Sequence, residues 1–294
     1  MTGTSTGEQM QSKEHNKTTQ LEIMLLLEAI FQQYGYDFRH YASASLARRI
    51  DNQLRRQKIK HVSELIPIIL YNKDAFELFL QEMSITVTDM FRNPLFFKEL
   101  RETVIPKLKT WPFVKIWCAG CATGEEVYSL AVLLQEENFY DRCQIYATDY
   151  NKRSLAIAKD GIYAMSKIKN YTTNYNNSGA KGSFADYYHA KYDGAKMNES
   201  LKRNIVFSHH NLVSDSAFGE MNLILCRNVL IYFNQKLQNR VLNLFEESLC
   251  PGGFLCLGAK ESLNFTSVTN KFETVASKKN IFRKKYHLHE KTLG

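Results

Sequence analysis

The sequence has few of the features that mark an exported or membrane-spanning protein. It has no apolar run near the roughly 18 residues that a membrane helix needs. Its first residues are polar and lack the apolar core of a signal peptide. The six cysteines are scattered, which is typical of a chain kept in a reducing compartment. These absences predict a cytoplasmic protein with no direct membrane insertion.

Motifs for phosphate and metal binding are also missing. Neither GxxxxGK[ST] nor GxGxxG occurs, so the usual cradles for a pyrophosphate are absent. The pair Cys118 and Cys121 has no second CxxC or HxxxH to complete a zinc site, and we expect no metal. Its WCxxC form would suit a redox dithiol in a thioredoxin-like fold. The surrounding pattern instead favours a buried Cys118 and a Cys121 that lines a turn.

Residues 116–126 carry the strongest local signal. They join an apolar run to residues 127–134, whose apolar positions recur at helical spacing. The pattern predicts a strand, a turn at Gly120 and Gly124, and a helix. A glycine turn alone can be ordinary turn chemistry. The next predicted strand, however, ends at Asp149, where an acid suits the two hydroxyls of an adenosine ribose.

The residues of this turn also indicate which nucleotide-type cofactor would bind. The predicted helix begins with Glu125 and Glu126, and a carboxylate would repel a pyrophosphate held there. A sulfonium cofactor carries no phosphate and bears an ammonium group, so the pattern points to S-adenosylmethionine. One glutamate can instead complement the helix dipole. We expect Glu125 to face the ligand.

Periodicity divides the chain into segments. From residue 113 onward strands and helices alternate, which predicts an α/β domain with a doubly wound, mostly parallel sheet. Three prolines, Pro94, Pro106 and Pro112, suggest boundaries in the stretch before it. The predicted segments are a disordered tail at 1–20, a small all-α domain at 21–84, a linker at 85–112, the α/β domain at 113–286 with an irregular interval at 160–204, and a tail at 287–294.

Ordered motifs make the chain similar to the CheR-type chemotaxis-receptor glutamate O-methyltransferases, from about residue 21 to 285. The motifs lie at 86–92, 122–129, 211–212, 226–233 and 251–262. The resemblance implies a Rossmann-like class I methyltransferase domain, a small antiparallel β insertion at 160–204 and S-adenosyl-L-methionine as cofactor. It implies methylation of glutamate carboxylates on the cytoplasmic helical bundles of chemoreceptors.

Site residues follow from the same resemblance. Asn211 and Leu212 would frame the adenine, and Arg227 with Asn228 the methionine end. The expected cofactor contacts are Thr86, Thr88, Arg92, Gly120, Glu125, Asp149, Asn211, Leu212, Arg227 and Asn228.

Two residues are candidates for catalysis. A glutamate acceptor is already ionised near neutral pH, its reference pKa being about 4.3, so positioning rather than a general base should accelerate the reaction. Arg92 could orient that carboxylate or the cofactor without taking a proton; the alternative is a surface ion pair at a domain junction. Tyr232 would lie near the transferred methyl group, or else be a core aromatic on the far side of the sheet.

The basic balance of the chain suggests an acidic partner. The net charge is +8, and Arg48, Arg49, Arg55 and Arg56 recur on one predicted helix as a possible ridge. Some family members dock a receptor tether on the insertion, but residues 193–196 lack their Gly-Tyr-Arg turn, which argues against tether binding. The rivals are a non-catalytic docking adaptor and a nucleic-acid methyltransferase, whose Asp/Asn-Pro-Pro-Tyr and Pro-Cys motifs are missing. We expect a monomer that binds no nucleic acid.

Overall fold

The computed structural model describes residues 5–83, 88–217 and 219–286, so the predicted tail at 287–294 lies outside the described residues. The chain divides into two compact units. The first comprises Met1–Ile85 with Tyr232–Leu237, and the second Thr86–Ile231 with Gln238–Gly294. Among the residues described, no helix is long and apolar enough to cross a membrane.

Helices build the first unit: α1 Ser5–Tyr34, α2 Ser43–Gln57, α3 Leu65–Tyr71 and α4 Lys73–Met83. Its core includes the buried side chains of Ile30, Phe38 and Phe79. Helix α1 begins at Ser5, well inside the stretch predicted to be a disordered tail. After Gly7 that stretch contains no glycine or proline and is rich in Glu, Gln and Lys, which sustain a helix.

The predicted basic ridge on α2 is only partly present. Arg55 and Arg56 are exposed, but each pairs with an acid, Asp51 and Glu82 respectively. Arg49 is buried, and its guanidinium donates a hydrogen bond to the carbonyl oxygen of Met83. Arg49 therefore belongs to the core of the first unit rather than to an exposed ridge.

Residues 232–237 join this unit through backbone pairing. The amide of Ala42 donates to the carbonyl oxygen of Tyr232 at 2.8 Å, and that of Asn234 to the carbonyl oxygen of His40 at 2.9 Å. Between these bonds Tyr41 and Phe233 form a bridge, with their ring centroids 5.1 Å apart.

Two sheets build the second unit. Its strands are β1 Val114–Ala119, β2 Cys143–Asp149, β3 Ile162–Ala164, β4 Tyr188–Lys191, β5 Gly194–Met197, β6 Ile205–His209, β7 Met221–Cys226, β8 Leu249–Leu257, β9 Phe272–Ala276 and β10 Ile281–Lys284. The larger sheet has the order β6-β2-β1-β7-β8-β10-β9, parallel up to β8, with β10 antiparallel to both its neighbours. This confirms the predicted mostly parallel sheet.

The smaller sheet forms the expected antiparallel insertion. Its order is β3-β5-β4, and the helix α9 lies between β3 and β4 in sequence. The helices of the second unit are α5 Pro94–Glu99, α6 Ile105–Leu108, α7 Glu125–Glu136, α8 Lys152–Asp160, α9 Met165–Asn177 and α10 Gln235–Ser248, the last beginning in residues grouped with the first unit.

The stretch predicted as a linker at 85–112 is instead part of the second unit. Helix α5, a π-helical segment at Leu100–Val104 and helix α6 run through it. Phe96, Phe97 and Leu108 are buried in the core of this unit. Pro94 occupies the first turn of α5, where proline is well tolerated because the amide there needs no partner within the helix. Pro106 lies in the first turn of α6, directly after the π-helical segment.

Candidate active site

Four adjacent parallel strands bring predicted site residues to one edge of the large sheet. Asn211 follows β6 and Asp149 ends β2, while Gly120 follows β1 and Arg227 follows β7. The register places Ala119 opposite Thr148, and Asp149 opposite His209. Strand order runs outward from β1 in both directions, and open α/β sheets bind their ligands at the carboxyl ends beside such a switch point.

The turn after β1 requires glycine at two positions. Gly120 has φ +72° and Gly124 has φ +90°. A Cβ on Gly120 would lie 2.6 Å from Cγ2 of Val229, and one on Gly124 would lie 2.8 Å from Cβ of Ala158. The amides of Gly120 and Cys121 both donate to the carbonyl oxygen of Thr148, at 2.8 and 2.9 Å. The strand–turn–helix prediction is confirmed.

Asp149 holds this turn from the neighbouring strand. Only 8% of the residue is exposed. One carboxylate oxygen accepts from the amide of Ala122 and the other from the amide of Asn151, both at 2.8 Å. Burial raises the pKa of Asp149, while the hydrogen bonds from the backbone amides of Asn151 and Ala122 oppose that rise. Each oxygen keeps capacity for another hydrogen bond, so the carboxylate fits a pair of ligand hydroxyls.

Glu125 is enclosed by its neighbours, with 1% of the residue exposed. It accepts hydrogen bonds from the hydroxyls of Thr123 at 2.6 Å and Tyr171 at 3.2 Å, and the ammonium of Lys167 lies 3.7 Å away. Burial raises the pKa of Glu125, with the Thr123 bond acting against it. That this carboxylate contacts the cofactor stays a prediction.

Arg227 ties together three segments of the second unit. Its Nη1 lies 2.5 Å from Oε2 of Glu126, and its Nη2 donates to the carbonyl oxygen of Arg92 at 3.1 Å. The guanidinium also stacks over the ring of Phe96, 3.9 Å from its centroid. The end of β7, the start of α7 and the loop before α5 therefore meet at one buried cation.

The loop that carries Arg92 is held in an unusual conformation. Phe91 and Asn93 on either side have φ +51° and +63°, a region that costs non-glycine residues on the order of 1–3 kcal/mol. The amide of Phe91 donates to Oγ of Ser129 at 2.8 Å, and the side-chain amide of Asn174 donates to the carbonyl oxygen of Met90 at 3.1 Å. These anchors maintain the strained turn.

The remaining predicted contacts are placed less uniformly. Thr88 is half-buried at the start of the loop that carries Arg92, whereas Thr86 lies outside the described residues. Asn211 forms a local turn, in which its Oδ1 accepts from the amide of Val213 at 3.0 Å, and Leu212 is buried. Tyr232 is grouped with the first unit, where the guanidinium carbon of Arg49 lies 5.0 Å from its ring centroid.

Two residues that hold the site were not predicted. Ser129 accepts from the Phe91 amide and donates to the carbonyl oxygen of Glu125 at 2.7 Å. Glu261 accepts from the amides of Asn228 and Val229. Their partners are backbone groups, which leave no mark in a sequence. The only hint of Glu261 was its place in the motif at 251–262, in the loop that follows β8.

The buried thiols of Cys118 and Cys121 are poor redox groups. Burial raises the pKa of both well above the ordinary value for cysteine. Reactive dithiols need the opposite shift, because the thiolate is the nucleophile.

The site combines a glycine turn that has no lysine, two glutamates at the start of the following helix, and a buried acid at the end of the next strand. This combination suits a cofactor that bears hydroxyls and an ammonium group but no phosphate. These features are those of an S-adenosylmethionine-dependent methyltransferase. Comparison with known families makes the assignment specific: the chain belongs to the CheR methyltransferase family. The description "CheR methyltransferase, SAM binding domain" matches residues 86–281, and "CheR methyltransferase, all-alpha domain" matches residues 21–84.

Curated relatives agree with this assignment. A Pseudomonas putida protein named "Putative methyltransferase Cher3" is 49% identical over 91% of this chain and 98% of its own length. "Chemotaxis protein methyltransferase 1" of Vibrio cholerae is 31% identical over 77% of this chain and 83% of its own length. The chain spans 26% of a longer Rhodobacter capsulatus relative that is 29% identical.

A solved structure adds a weaker likeness. The N-methyltransferase NodS of Bradyrhizobium japonicum, in complex with S-adenosyl-l-homocysteine, is 13% identical with a TM-score of 0.38, over 67% of this chain and 88% of its own.

Proposed function

We propose that this protein transfers the methyl group of S-adenosylmethionine to glutamate side chains on the cytoplasmic helical bundles of chemoreceptors. The products are glutamate methyl esters and S-adenosylhomocysteine, and the reaction takes place in the cytoplasm. Membership of the CheR family supports the proposal, as does the name of the Vibrio cholerae relative.

The observation that carries the proposal is that the acidic side chains of the site are already engaged by neighbouring groups. Asp149 accepts two backbone amides, Glu125 is enclosed by Thr123, Tyr171 and Lys167, and Glu126 pairs with Arg227. Each of these carboxylates is engaged in holding the site. An acceptor that is already ionised fits such a site, because it requires orientation and not deprotonation.

Each group then has a defined task. The cofactor, when bound, supplies an electrophilic methyl group on its sulfonium sulfur. The turn at Gly120 and Gly124, together with Asp149, would hold the nucleoside. The loop that carries Arg92 would orient the acceptor carboxylate. Because that loop is anchored by Ser129 and by Arg227, the Arg92 backbone is fixed before any acceptor arrives.

Methyl transfer to receptors tests the proposal directly. The protein is incubated with S-adenosylmethionine labelled in the methyl group and with membranes that contain the organism's own chemoreceptors. Alkaline release of labelled methanol distinguishes a carboxyl ester from base-stable N-methylation. We expect base-labile label in the receptor band, and a loss of about 10²- to 10³-fold in kcat/KM for Arg92→Ala, comparable to removal of one oriented donor from a reaction site.

Arg203→Ala is the matched control, because Arg203 is an exposed arginine of the second unit in a surface ion pair with Asp141. It should leave the rate unchanged. Equal losses of kcat/KM in the two variants would indicate that Arg92 only forms a surface ion pair and does not orient the acceptor. Calorimetric binding of S-adenosylhomocysteine without any receptor label would contradict the proposed acceptor and favour a docking adaptor, while base-stable label would assign a different acceptor chemistry.

A further inference from the structure

Glu261 occupies a buried position in the loop after β8, with 5% of the residue exposed. Its carboxylate accepts hydrogen bonds from four backbone amides. Those of Val229, Asn228 and Ile231 lie at 2.8, 3.0 and 3.4 Å, and the fourth comes from Gly258 in its own loop. Converging amides of this kind make a concave site for an anion, and here the anion is a side chain of the protein itself.

The surrounding residues are shaped around this carboxylate. A Cβ on Gly258 would lie 2.6 Å from Oε2 of Glu261 and 2.8 Å from the amide nitrogen of Asn228, so only glycine permits the approach. The side-chain amide of Asn280 donates to the carbonyl oxygens of Gly258 and Glu261, both at 2.7 Å. Asn228 itself has φ +62°, a conformation that its bond to Glu261 helps to hold.

The segment that Glu261 holds, residues 227–231, contacts the cofactor turn. Val229 packs against Gly120 so closely that a Cβ there would meet its Cγ2 at 2.6 Å. Arg227, at the start of the same segment, pairs with Glu126 beyond the turn. The position of the segment therefore determines two things. It sets how Val229 packs against Gly120 at the start of the turn, and it places Arg227 to pair with Glu126 after the end of the turn.

We propose that Glu261 is a positioning residue for S-adenosylmethionine: by gathering the amides of Asn228, Val229 and Ile231, it fixes the segment whose Val229 supports the glycine turn at Gly120. The effect passes through Val229 and not through contact with the cofactor. The inference concerns cofactor affinity, so it holds or fails independently of which acceptor is methylated.

Binding of S-adenosylhomocysteine to the full chain, measured by calorimetry, is the test. Glu261→Gln keeps the shape but turns an amide NH₂ toward backbone N–H donors, so the segment must move. We expect the Kd to rise by about 10- to 100-fold, in line with the sensitivity of oriented sites to displacements near 1 Å.

Glu246→Gln is the matched control. Glu246 is another buried acid of the second unit, paired with Lys271 at 2.8 Å and Lys284 at 3.0 Å. In the part of the chain that the structure describes, its carboxylate forms no hydrogen bond with residues 227–231. It should lower the thermal midpoint yet leave the Kd unchanged. Equal changes in Kd for both variants, or no change for Glu261→Gln, would overturn the proposal.

Val229→Ala provides a second and independent variant, because it retains every amide that Glu261 binds. It should also raise the Kd, and the double variant should raise it by less than the product of the two single effects, since both act on one contact. If Glu261→Gln fails to fold, Val229→Ala decides alone: an unchanged Kd then refutes the route through Gly120.

Discussion

Replacing Gly120 with alanine should damage both the stability of the second unit and its cofactor binding. A non-glycine residue at φ +72° costs about 1–2 kcal/mol. The new Cβ would also lie 2.6 Å from Cγ2 of Val229, and overpacking of this kind typically costs about 1–3 kcal/mol more. The expected loss in the free energy of unfolding is therefore about 2–5 kcal/mol.

Gly179→Ala separates the two contributions, because Gly179 lies in the same unit at φ +76°. There a Cβ would meet only the flexible side chain of Lys98, at 3.5 Å. Urea unfolding should show a loss of about 1–2 kcal/mol for this variant. Adding Val229→Ala to Gly120→Ala should lessen the overpacking loss. Equal losses for Gly120→Ala and Gly179→Ala would refute the argument that Val229 closes the turn.

Two further predictions concern buried groups. Burial raises the pKa of Glu125 above 4.5 in the folded state, so the folded protein keeps the proton of this carboxyl group to a higher pH than the unfolded chain does. The protonated side chain therefore contributes stability at low pH, and this contribution is lost as the pH rises through the raised pKa. The free energy of unfolding of Glu125→Gln, measured in urea, should therefore improve relative to wild type as pH increases above 4.5; parallel pH curves would contradict this. The six cysteine thiols are all buried, so a thiol reagent should react slowly with the native protein and rapidly with all six in denaturant. Fast native labelling of Cys118 and Cys121 would revive the redox alternative.

Residues 113–134 could be predicted from sequence because strand, turn and helix each leave a local signal there. The apolar run, the two glycines and the helical spacing all agree, and helix α7 begins at Glu125, as expected. The fold class followed from the alternation of such segments. Strand β9 leaves little signal in its own residues, since two of its five residues are exposed and only Phe272 is buried.

Other features left signals that point the wrong way or none at all. Pro94 and Pro106 suggested boundaries, but proline favours the first turn of a helix as strongly as it ends one. The left-handed turn at Phe91 is carried by a bulky residue, and it is maintained by Ser129 from a helix far along the chain. Glu261 acts on backbone amides, whose positions depend on the whole fold.

The pairing of residues 232–237 with the first unit has a consequence for how the chain folds during synthesis. At about 5–20 residues per second, helices α1–α4 leave the ribosome well before this segment exists. The backbone groups of residues 40–42 therefore have no pairing partner until residues 232–234 have been synthesised. The N-terminal helices thus complete their structure only after most of the second unit has been made. Cutting the chain once between the two units would remove this paired segment from the first.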